Sequence, residues 1–415
     1  MRFAAQWGDG LFQAALGGAV LFNPEREADP LVVAAGLAVL LVPYSVLGPF
    51  AGALLDRWDR RRVLLVANLL RAALTLGVAA VVGAGVAGVP LYLAALAVAG
   101  VSRFVLAGLS AALPHVVDRR QLVAANAVAT TVGAAVAALG VATAIGMRAL
   151  VGAGDAGSAI TTATAATGSV IAAVVAAGFT ARVLGPDRRH DGGDPASTVA
   201  AVARGLVDGA RAVARTPPVA ASFLALAAHR LSFGVTTLLT LMLLRYVFAD
   251  LGPLRGGMAG LGQVVVLAAA GLGVAALVTP WLARRLGRAG TVRVALLTAA
   301  ATQLALALLL SLPALLGAAF VLGAAGQVVK LCADAEVQDD IDDNVRGRVF
   351  ALYDAVFNLC YVLAVALAAL LSPPDGWAPW LVAATAGIYL LGLLAHHRAL
   401  RRPPLEPSES GVRSV

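Results

Sequence analysis

Long apolar stretches recur along the whole 415-residue chain, and they limit its fold more than any other feature. A run of about 18 or more apolar residues can cross the hydrocarbon core of a bilayer as a helix. Charged residues make up only 13% of the chain, whereas soluble domains carry about 25%. Transmembrane β-strands would alternate apolar and polar residues over about ten positions, and the runs do not alternate. The sequence therefore predicts an all-α membrane protein.

Twelve segments have about the 20 residues that a transmembrane helix needs. Numbered as spans 1 to 12, they cover residues 2–22, 31–55, 62–84, 90–113, 122–149, 157–184, 217–248, 257–283, 291–312, 314–334, 347–371 and 377–397. The hydrophilic stretch between spans 6 and 7 begins with a polar linker. It continues with a segment whose Arg204, Arg211 and Arg215 share one helix face. This pattern predicts an amphipathic helix on the inner leaflet.

The predicted organisation is two six-helix halves joined by a linker, which is typical of secondary transporters. The halves cover residues 1–184 and 217–398, the linker covers 185–216, and a tail covers 399–415. Cytoplasmic loops of membrane proteins are rich in Lys and Arg. With a cytoplasmic N-terminus, 22 of the 31 basic residues fall in cytoplasmic segments, and only Arg26, Arg148 and Arg255 fall in outer loops or at their edges. Both termini are therefore expected to be cytoplasmic.

The densest charge lies in GALLDRWDRRRVLL, residues 52–65, directly after span 2. This stretch resembles the signature of the loop between spans 2 and 3 in the major facilitator superfamily. The matching positions are Gly52, Leu54, Asp56, Arg57, Arg60, Arg61 and Leu64. Asp59 stands where the family usually has Gly. With the two-half layout, the resemblance covers most of the chain and implies the major facilitator fold, transport by alternating access and a monomeric protein.

Two further stretches resemble a bacterial branch of drug exporters of the macrolide-efflux type. They are GQVVKLCADAEVQDDIDDNVRGRVFALYDAVFN at 326–358 and LPHVVDRRQLVAANA at 113–127. The resemblance implies export of amphipathic, drug-like molecules across a bacterial inner membrane in exchange for protons. Proton-exchanging exporters usually carry Gly-Pro and paired glycines in span 5. Span 5 of this chain departs from that pattern, because AVATTVGAAVAALGVATAIGM keeps small residues but has no proline.

The resemblance also implies a role for the charged loop. A carboxylate at the C-terminal end of a helix, where Asp56 is predicted, opposes the helix dipole by about 0.3–1 kcal/mol. In the family this aspartate contacts the start of span 11, here Arg346–Phe350, and holds the halves together in the outward-facing state. Anchoring at lipid headgroups is a second, compatible role. The predicted conformational latch comprises Gly52, Asp56, Arg57, Arg60, Arg61, Arg346 and Arg348.

Ionisable residues inside spans cost about 2.5–3.5 kcal/mol at mid-bilayer and are therefore functional candidates. In span 1, Asp9 and Gln13 share a helix face with Gln6, either as cavity or coupling residues or as a structural hydrogen-bonding group. In span 4, Arg103 resembles a family arginine linked to proton coupling. Since arginine keeps its proton, Arg103 would act by biasing a nearby carboxylate. Arg71, near the start of span 3, is expected to reach the cytoplasmic headgroups.

The second half adds further polar positions inside predicted spans. The candidate cavity or coupling residues there are His229, Arg230, Gln327, Lys330, Asp334, Asp354 and Asn358. His229 serves either a proton step or the structure, and Arg230 is expected to pair with a carboxylate or to reach the interface. Lys330 and Asp334 are spaced to neutralise each other. The residues of spans 10 and 11 either line a cavity or form a network at the cytoplasmic end.

Other function classes find no support in the sequence. GAGVAG at 83–88 and GAGDAG at 152–157 match a dinucleotide-binding pattern, but neither opens a helix after a strand, as that pattern requires. No nucleotide, metal or nucleophile motif indicates a cofactor, a metal site or an enzyme. The net charge of +8 comes from the loops and does not indicate a nucleic-acid partner.

The favoured function is proton-coupled export of an amphipathic small molecule by a protein embedded in the lipid bilayer. Transport of a lipid-like or endogenous metabolite, in either direction, is an alternative. A non-transporting scaffold or sensor is an alternative from another class.

Replacing Asp56 tests the latch. Asp56→Asn should reduce transport without reducing the amount of protein in the membrane, because it removes the charge and keeps the size. Transport rates would be compared at equal membrane expression, and a wild-type rate in the variant would rule the latch out.

Overall fold

The structure is a computed structural model, and it describes residues 1–21, 30–31, 33–37, 59–118, 122–185 and 195–401. Eleven α-helices have assigned bounds within these ranges. They are α1 (Arg2–Leu21), α2 (Arg60–Gly83), α3 (Val89–Ala112), α4 (Leu122–Val151), α5 (Asp155–Ala177), α6 (Pro195–Arg215), α7 (Pro217–Tyr246), α8 (Gly257–Leu309), α9 (Leu312–Asp340), α10 (Asp343–Leu371) and α11 (Pro379–Leu400). The predicted all-α architecture is confirmed.

Nine of the helices in the described ranges, α2–α5 and α7–α11, are long and apolar enough to cross a membrane. Helix α8 has 53 residues, which at 1.5 Å per residue would extend about 80 Å. Gly287 interrupts it with a φ of 68° and a ψ of 168°, so α8 contains the predicted spans 8 and 9. Predicted spans 3 to 12 therefore all have a helical counterpart.

The first two predicted spans differ from the rest. Helix α1 forms where span 1 was predicted, but its polar residues keep it out of the nine apolar helices. Most of span 2 lies outside the described residues, and so do three residues of the predicted latch, Gly52, Asp56 and Arg57.

The chain divides into two compact units. Unit 1 comprises Met1–Val202, Thr237–Leu261 and Val365–Trp377, and unit 2 comprises Ala203–Thr236, Gly262–Ala364 and Ala378–Val415. Helices α1 to α5 lie in unit 1, and α9 and α11 lie in unit 2. The predicted boundaries of two six-helix halves remain a prediction.

Within unit 1, α1 packs so closely on two neighbours that their backbones are in contact. A Cβ atom at Gly140 of α4 would lie 2.2 Å from the carbonyl oxygen of Trp7, and one at Gly168 of α5 would lie 2.6 Å from that of Ala4. Neither distance leaves room for a side chain. Small residues allow membrane helices to approach in this way, which explains why spans 5 and 6 are rich in them.

The loop after α7 in unit 1 is held by an exposed aspartate. Asp250 accepts hydrogen bonds from the backbone N–H of Gly256 and from Arg255, both at 2.9 Å. These two contacts hold the pKa of Asp250 below its usual value.

The packing of α1 on α4 can be tested with two glycines of α4. Gly140→Ala forces its Cβ against the backbone of α1, so we expect a loss of about 1–3 kcal/mol in the free energy of unfolding. At Gly146 nothing lies within 4 Å of an added Cβ. Gly146→Ala should be neutral or stabilising by up to about 1 kcal/mol, because alanine favours the helix. Unfolding of the purified protein in detergent measures both, and equal stabilities would contradict the close contact.

Candidate functional site

A buried ion pair connects α1 and α2 inside unit 1. Arg71 Nη1 lies 2.9 Å from Asp9 Oδ1, and the two side chains are 1% and 14% exposed. Ser102 of α3 donates a hydrogen bond of 2.7 Å to the same Asp9 oxygen, and Arg71 Nε donates one of 2.7 Å to Ser169 of α5. Four helices therefore meet at one pair of charges.

This network leaves some of its polar atoms without a described partner. Asp9 Oδ2 and Arg71 Nη2 are buried and form no hydrogen bond with any described residue. Burying an unpaired polar atom costs about 1–3 kcal/mol. Incomplete hydrogen bonding of this kind is what we expect at a site whose partners change during function.

Asp9 also borders a cavity of about 200 Å³ in unit 1. The walls include Gln6 and Gln13 from α1, Ser102 and Arg103 from α3, and Ala137 from α4. The predicted shared face of Gln6, Asp9 and Gln13 therefore exists and faces a cavity that Arg103 also lines. Their role in coupling remains a prediction.

The expectation that Arg71 reaches the headgroups was wrong. Its guanidinium is buried against Asp9, because a carboxylate and two hydroxyls surround it in an otherwise apolar interior. Arg71 lies eleven residues beyond Arg60, where α2 begins, and at 1.5 Å per residue this places it about 16 Å into the helix. The distance of Arg71 from the start of its helix could therefore have indicated from the sequence that it lies too deep to reach the headgroups.

Arg60 and Arg61, two predicted latch residues, contact backbone carbonyls of unit 1. Arg61 Nη2 donates a 2.9 Å hydrogen bond to the carbonyl of Ala177, the last residue of α5. Arg60 is buried and donates a 3.4 Å hydrogen bond to the carbonyl of Leu184. Cations are stabilising at the C-terminal end of a helix, where carbonyls lack intrahelical partners.

Asp59 has a local structural role. Its side chain accepts a 3.1 Å hydrogen bond from the backbone N–H of Arg61 and so caps the N-terminus of α2. Aspartate is among the preferred N-cap residues. This contact gives a physical reason for the departure from the glycine of the family signature.

The other two latch candidates, Arg346 and Arg348, lie in unit 2 at the start of α10. Arg346 donates to the carbonyl of Ile341 at 2.9 Å. Arg348 Nη1 lies 3.0 Å from Asp208 of α6, and a Cβ at Gly209 would lie 2.9 Å from the Arg348 carbonyl oxygen. The predicted linker helix thus exists, and it packs on α10 at Arg348. Since Asp56 lies outside the described residues, the latch remains a prediction.

His229 is enclosed within unit 2. Its Nδ1 lies 2.9 Å from the hydroxyl of Tyr389, and a Cβ at Gly326 would lie 2.2 Å from its Nε2. Both ring nitrogens therefore face protein atoms, which supports the structural alternative for this histidine.

Arg230 does not make the contact that the sequence suggested. Its Nε donates a 2.9 Å hydrogen bond to the carbonyl of Phe357, and its guanidinium lies over the rings of Phe357 and Tyr361. The residue is 9% exposed, so it does not extend into solvent. Aromatic rings provide an attraction for a guanidinium that the sequence pattern did not reveal.

The polar positions of α9 and α10 are only partly brought together. Lys330 and Asp334 form the predicted ion pair, at 2.6 Å. Asn358 donates a 2.8 Å hydrogen bond to the carbonyl of Asp354 on its own helix. Gln327 is half-buried on α9.

Sequence analysis missed Glu336 of α9, which is buried and hydrogen-bonded to the hydroxyl of Ser222 on α7. Nothing in the sequence distinguishes it from the exposed acidic residues that follow. Among the described residues, no three His, Cys, Asp or Glu side chains are placed to hold a metal ion.

The Asp9–Arg71 pair predicts a large effect on stability. Asp9→Asn leaves a buried cation without its carboxylate, and we expect a loss of about 3–5 kcal/mol in the free energy of unfolding. Adding Arg71→Gln to that variant should recover part of the loss. Asp250→Asn removes an exposed pair and should cost less than about 1 kcal/mol. Denaturant titration in detergent measures all three, and similar losses for Asp9→Asn and Asp250→Asn would contradict the burial.

Known proteins are similar to this chain in sequence and in fold. Residues 3–339 match the sequence model of the Major Facilitator Superfamily. An uncharacterized MFS-type transporter of Mycobacterium tuberculosis is 48% identical over 408 residues, which cover 97% of this chain and 90% of that protein. A transporter of the same description from Mycobacterium bovis has the same identity and coverage.

Two solved structures show the likeness in fold. The nucleoside transporter NupG has a TM-score of 0.68 at 14% identity, over 97% of this chain and 98% of its own. A bacterial homologue of the iron transporter ferroportin, in an inward-facing state, has a TM-score of 0.67 at 17% identity, over 97% of both chains. At such identities the likeness is one of fold alone.

Proposed function

This chain belongs to the major facilitator superfamily and is a membrane transporter of that type, and we propose that it is a secondary active exporter that exchanges amphipathic, drug-like molecules for protons. The observation that carries the proposal is the buried Asp9–Arg71 pair on the wall of a cavity. A carboxylate that is buried yet adjoins a cavity can bind a proton, and its charge state then affects every group it contacts.

A proton on Asp9 would change contacts on four helices. The charged carboxylate accepts from Arg71 and from Ser102, while Arg71 also donates to Ser169. Protonation removes the negative charge, and Arg71 keeps its own charge because arginine does not lose its proton in proteins. The attraction between α1 and α2 therefore weakens whenever Asp9 takes up a proton. Such a change is suited to driving alternating access.

The composition of the cavity wall favours an amphipathic substrate. Phe12 and Leu106 provide apolar contacts, and Gln6 and Gln13 provide amide groups. Binding sites for small molecules combine mostly apolar walls with a few placed polar groups. Arg103 on the same wall adds a permanent positive charge to the cavity.

The fold does not select the substrate. NupG is named for nucleosides and the ferroportin homologue for iron, although both have this fold. The substrate class therefore rests on the site residues. The proposal also places the protein in a bacterial inner membrane, as a monomer with both termini in the cytoplasm.

An accumulation assay tests the proposal directly. The tagged protein is expressed in a pump-deficient bacterial host, and cellular levels of fluorescent amphipathic compounds and antibiotics are followed with and without a protonophore. We expect lower accumulation that the protonophore reverses. Asp9→Asn should abolish the export at equal membrane expression, and Asp250→Asn, an exposed carboxylate outside the cavity, should leave it unchanged.

Two outcomes would contradict the proposal. Gradient-driven export at the wild-type rate in Asp9→Asn would remove Asp9 from the coupling mechanism. Confirmed expression with no change for any compound would overturn drug export, and lipids and endogenous metabolites would be tested next.

A further inference from the structure

The guanidinium of Arg230 lies within a group of aromatic rings in unit 2. Its Cζ atom is 3.8 Å from the ring centre of Phe357, 4.5 Å from that of Tyr361 and 5.8 Å from that of Phe233. Phe233 is on α7 with Arg230, whereas Phe357 and Tyr361 occupy successive turns of α10. The side chain is 9% exposed.

This cation has no carboxylate partner among the described residues. The ion pairs found there involve other basic residues, and the hydrogen bond from Arg230 Nε goes to the neutral carbonyl of Phe357. Arginine carries five N–H donors. The four on the two Nη atoms form no hydrogen bond with a described residue, yet these atoms are not among the fully buried atoms that lack a partner. Part of the surface of these Nη atoms is therefore accessible.

Unit 2 also shows how a neighbouring cation is neutralised. Lys330 Nζ lies 5.6 Å from the ring centre of Tyr353, and Tyr353 stacks on Phe357, the ring beneath Arg230. Lys330 has Asp334 at 2.6 Å. Arg230 has the same kind of aromatic contact, but no carboxylate of a described residue contacts its guanidinium.

A buried cation without an anion is costly in a membrane protein, and aromatic rings recover only part of that cost. Such residues persist where they serve function. The planar guanidinium presents paired N–H groups that match a carboxylate or a sulfonate in a bidentate arrangement. Of the rings around it, Phe233 and Phe357 are partly exposed and offer an apolar surface to the rest of a molecule that carries such a group.

We propose that Arg230 binds the anionic group of the transported substrate, and that the substrates are amphipathic organic anions whose apolar part packs on the partly exposed rings of Phe357 and Phe233. This inference rests on the proposed function, because it names the charge class of that transporter's substrates, and it adds a second binding site, in unit 2, to the cavity beside Asp9. Arg230 acts as the specificity-determining residue. Cationic and neutral molecules of the same shape leave the buried charge unpaired and bind less well.

Affinities of three matched naphthalene derivatives test the inference. The probes are 2-naphthoate, the neutral 2-naphthamide and the cationic 2-naphthylmethylammonium, each titrated near neutral pH into the purified full-length protein in detergent. Binding is measured by the shift in unfolding temperature and by calorimetry. We expect 2-naphthoate to bind about tenfold or more tightly than either analogue, as loss of a charge-assisted hydrogen bond implies.

Variants at two arginines separate recognition from folding. Arg230→Gln should remove the preference for the anion. Arg230→Lys keeps the positive charge but loses the paired N–H groups of the guanidinium, so it should retain part of the preference. Arg285→Gln is the matched control, because Arg285 also stacks on an aromatic ring, that of Trp281 at 4.8 Å, but is exposed. It should bind all three probes as the wild type does. If Arg230→Gln fails to fold, Arg230→Lys and the wild-type series still decide the question.

The outcomes distinguish this inference from the proposed function. A wild-type protein without preference for 2-naphthoate, or an Arg230→Gln variant that keeps the preference, overturns the anion site even where protonophore-sensitive export is observed. An Arg230-dependent preference for the anion in a protein that exports nothing supports the site and overturns proton-driven export.

Discussion

A charge inside a bilayer must be stabilised by the protein itself, because the hydrocarbon offers neither water nor counterions. The described residues meet this constraint in three ways. Arg71 has a carboxylate from another helix and two hydroxyls. Lys330 has a carboxylate one turn away on its own helix. Arg230 has aromatic rings and a carbonyl. The first two arrangements compensate the charge and the third does not, which is why the two proposals assign the proton to one site and the substrate anion to the other.

The position of the first site depends on the packing of α1. Asp9 lies between Gly8 and Gly10, and an added Cβ at these glycines would come within 2.9 Å and 2.0 Å of carbonyl oxygens on α5 and α4. The backbone of α1 is thus held against two helices at the residues that flank the carboxylate. A bulkier helix would stand further away and carry Asp9 out of reach of Arg71. The small residues of spans 5 and 6 therefore serve the site as well as the fold.

The sequence predicted the fold better than it predicted the site. The hydropathy and the length of an apolar stretch can be determined from the local sequence alone, so they sufficed to locate the helices that match spans 3 to 12. Helical spacing also placed Gln6, Asp9 and Gln13 on one face. Which partner a residue meets depends on how the helices are rotated and spaced, and no local pattern contains that information. Arg71 was therefore assigned to the headgroups, Arg230 to a carboxylate or to the interface, and Glu336 was missed.

The arginines after span 2 illustrate how one group of residues can satisfy several requirements. Basic residues in cytoplasmic loops orient membrane proteins. Two arginines of this stretch, Arg60 and Arg61, donate to carbonyls at and beyond the end of α5. The chain passes close to Arg60 at Gly185, which leaves room for the guanidinium because it has no side chain. Its φ is +84°, and an added Cβ would lie 2.8 Å from Arg60 Nη1. Arg60 and Arg61 are thus both engaged by carbonyls within unit 1. Arg348 of α10, another predicted latch residue, is likewise paired within unit 2, with Asp208 of the linker helix.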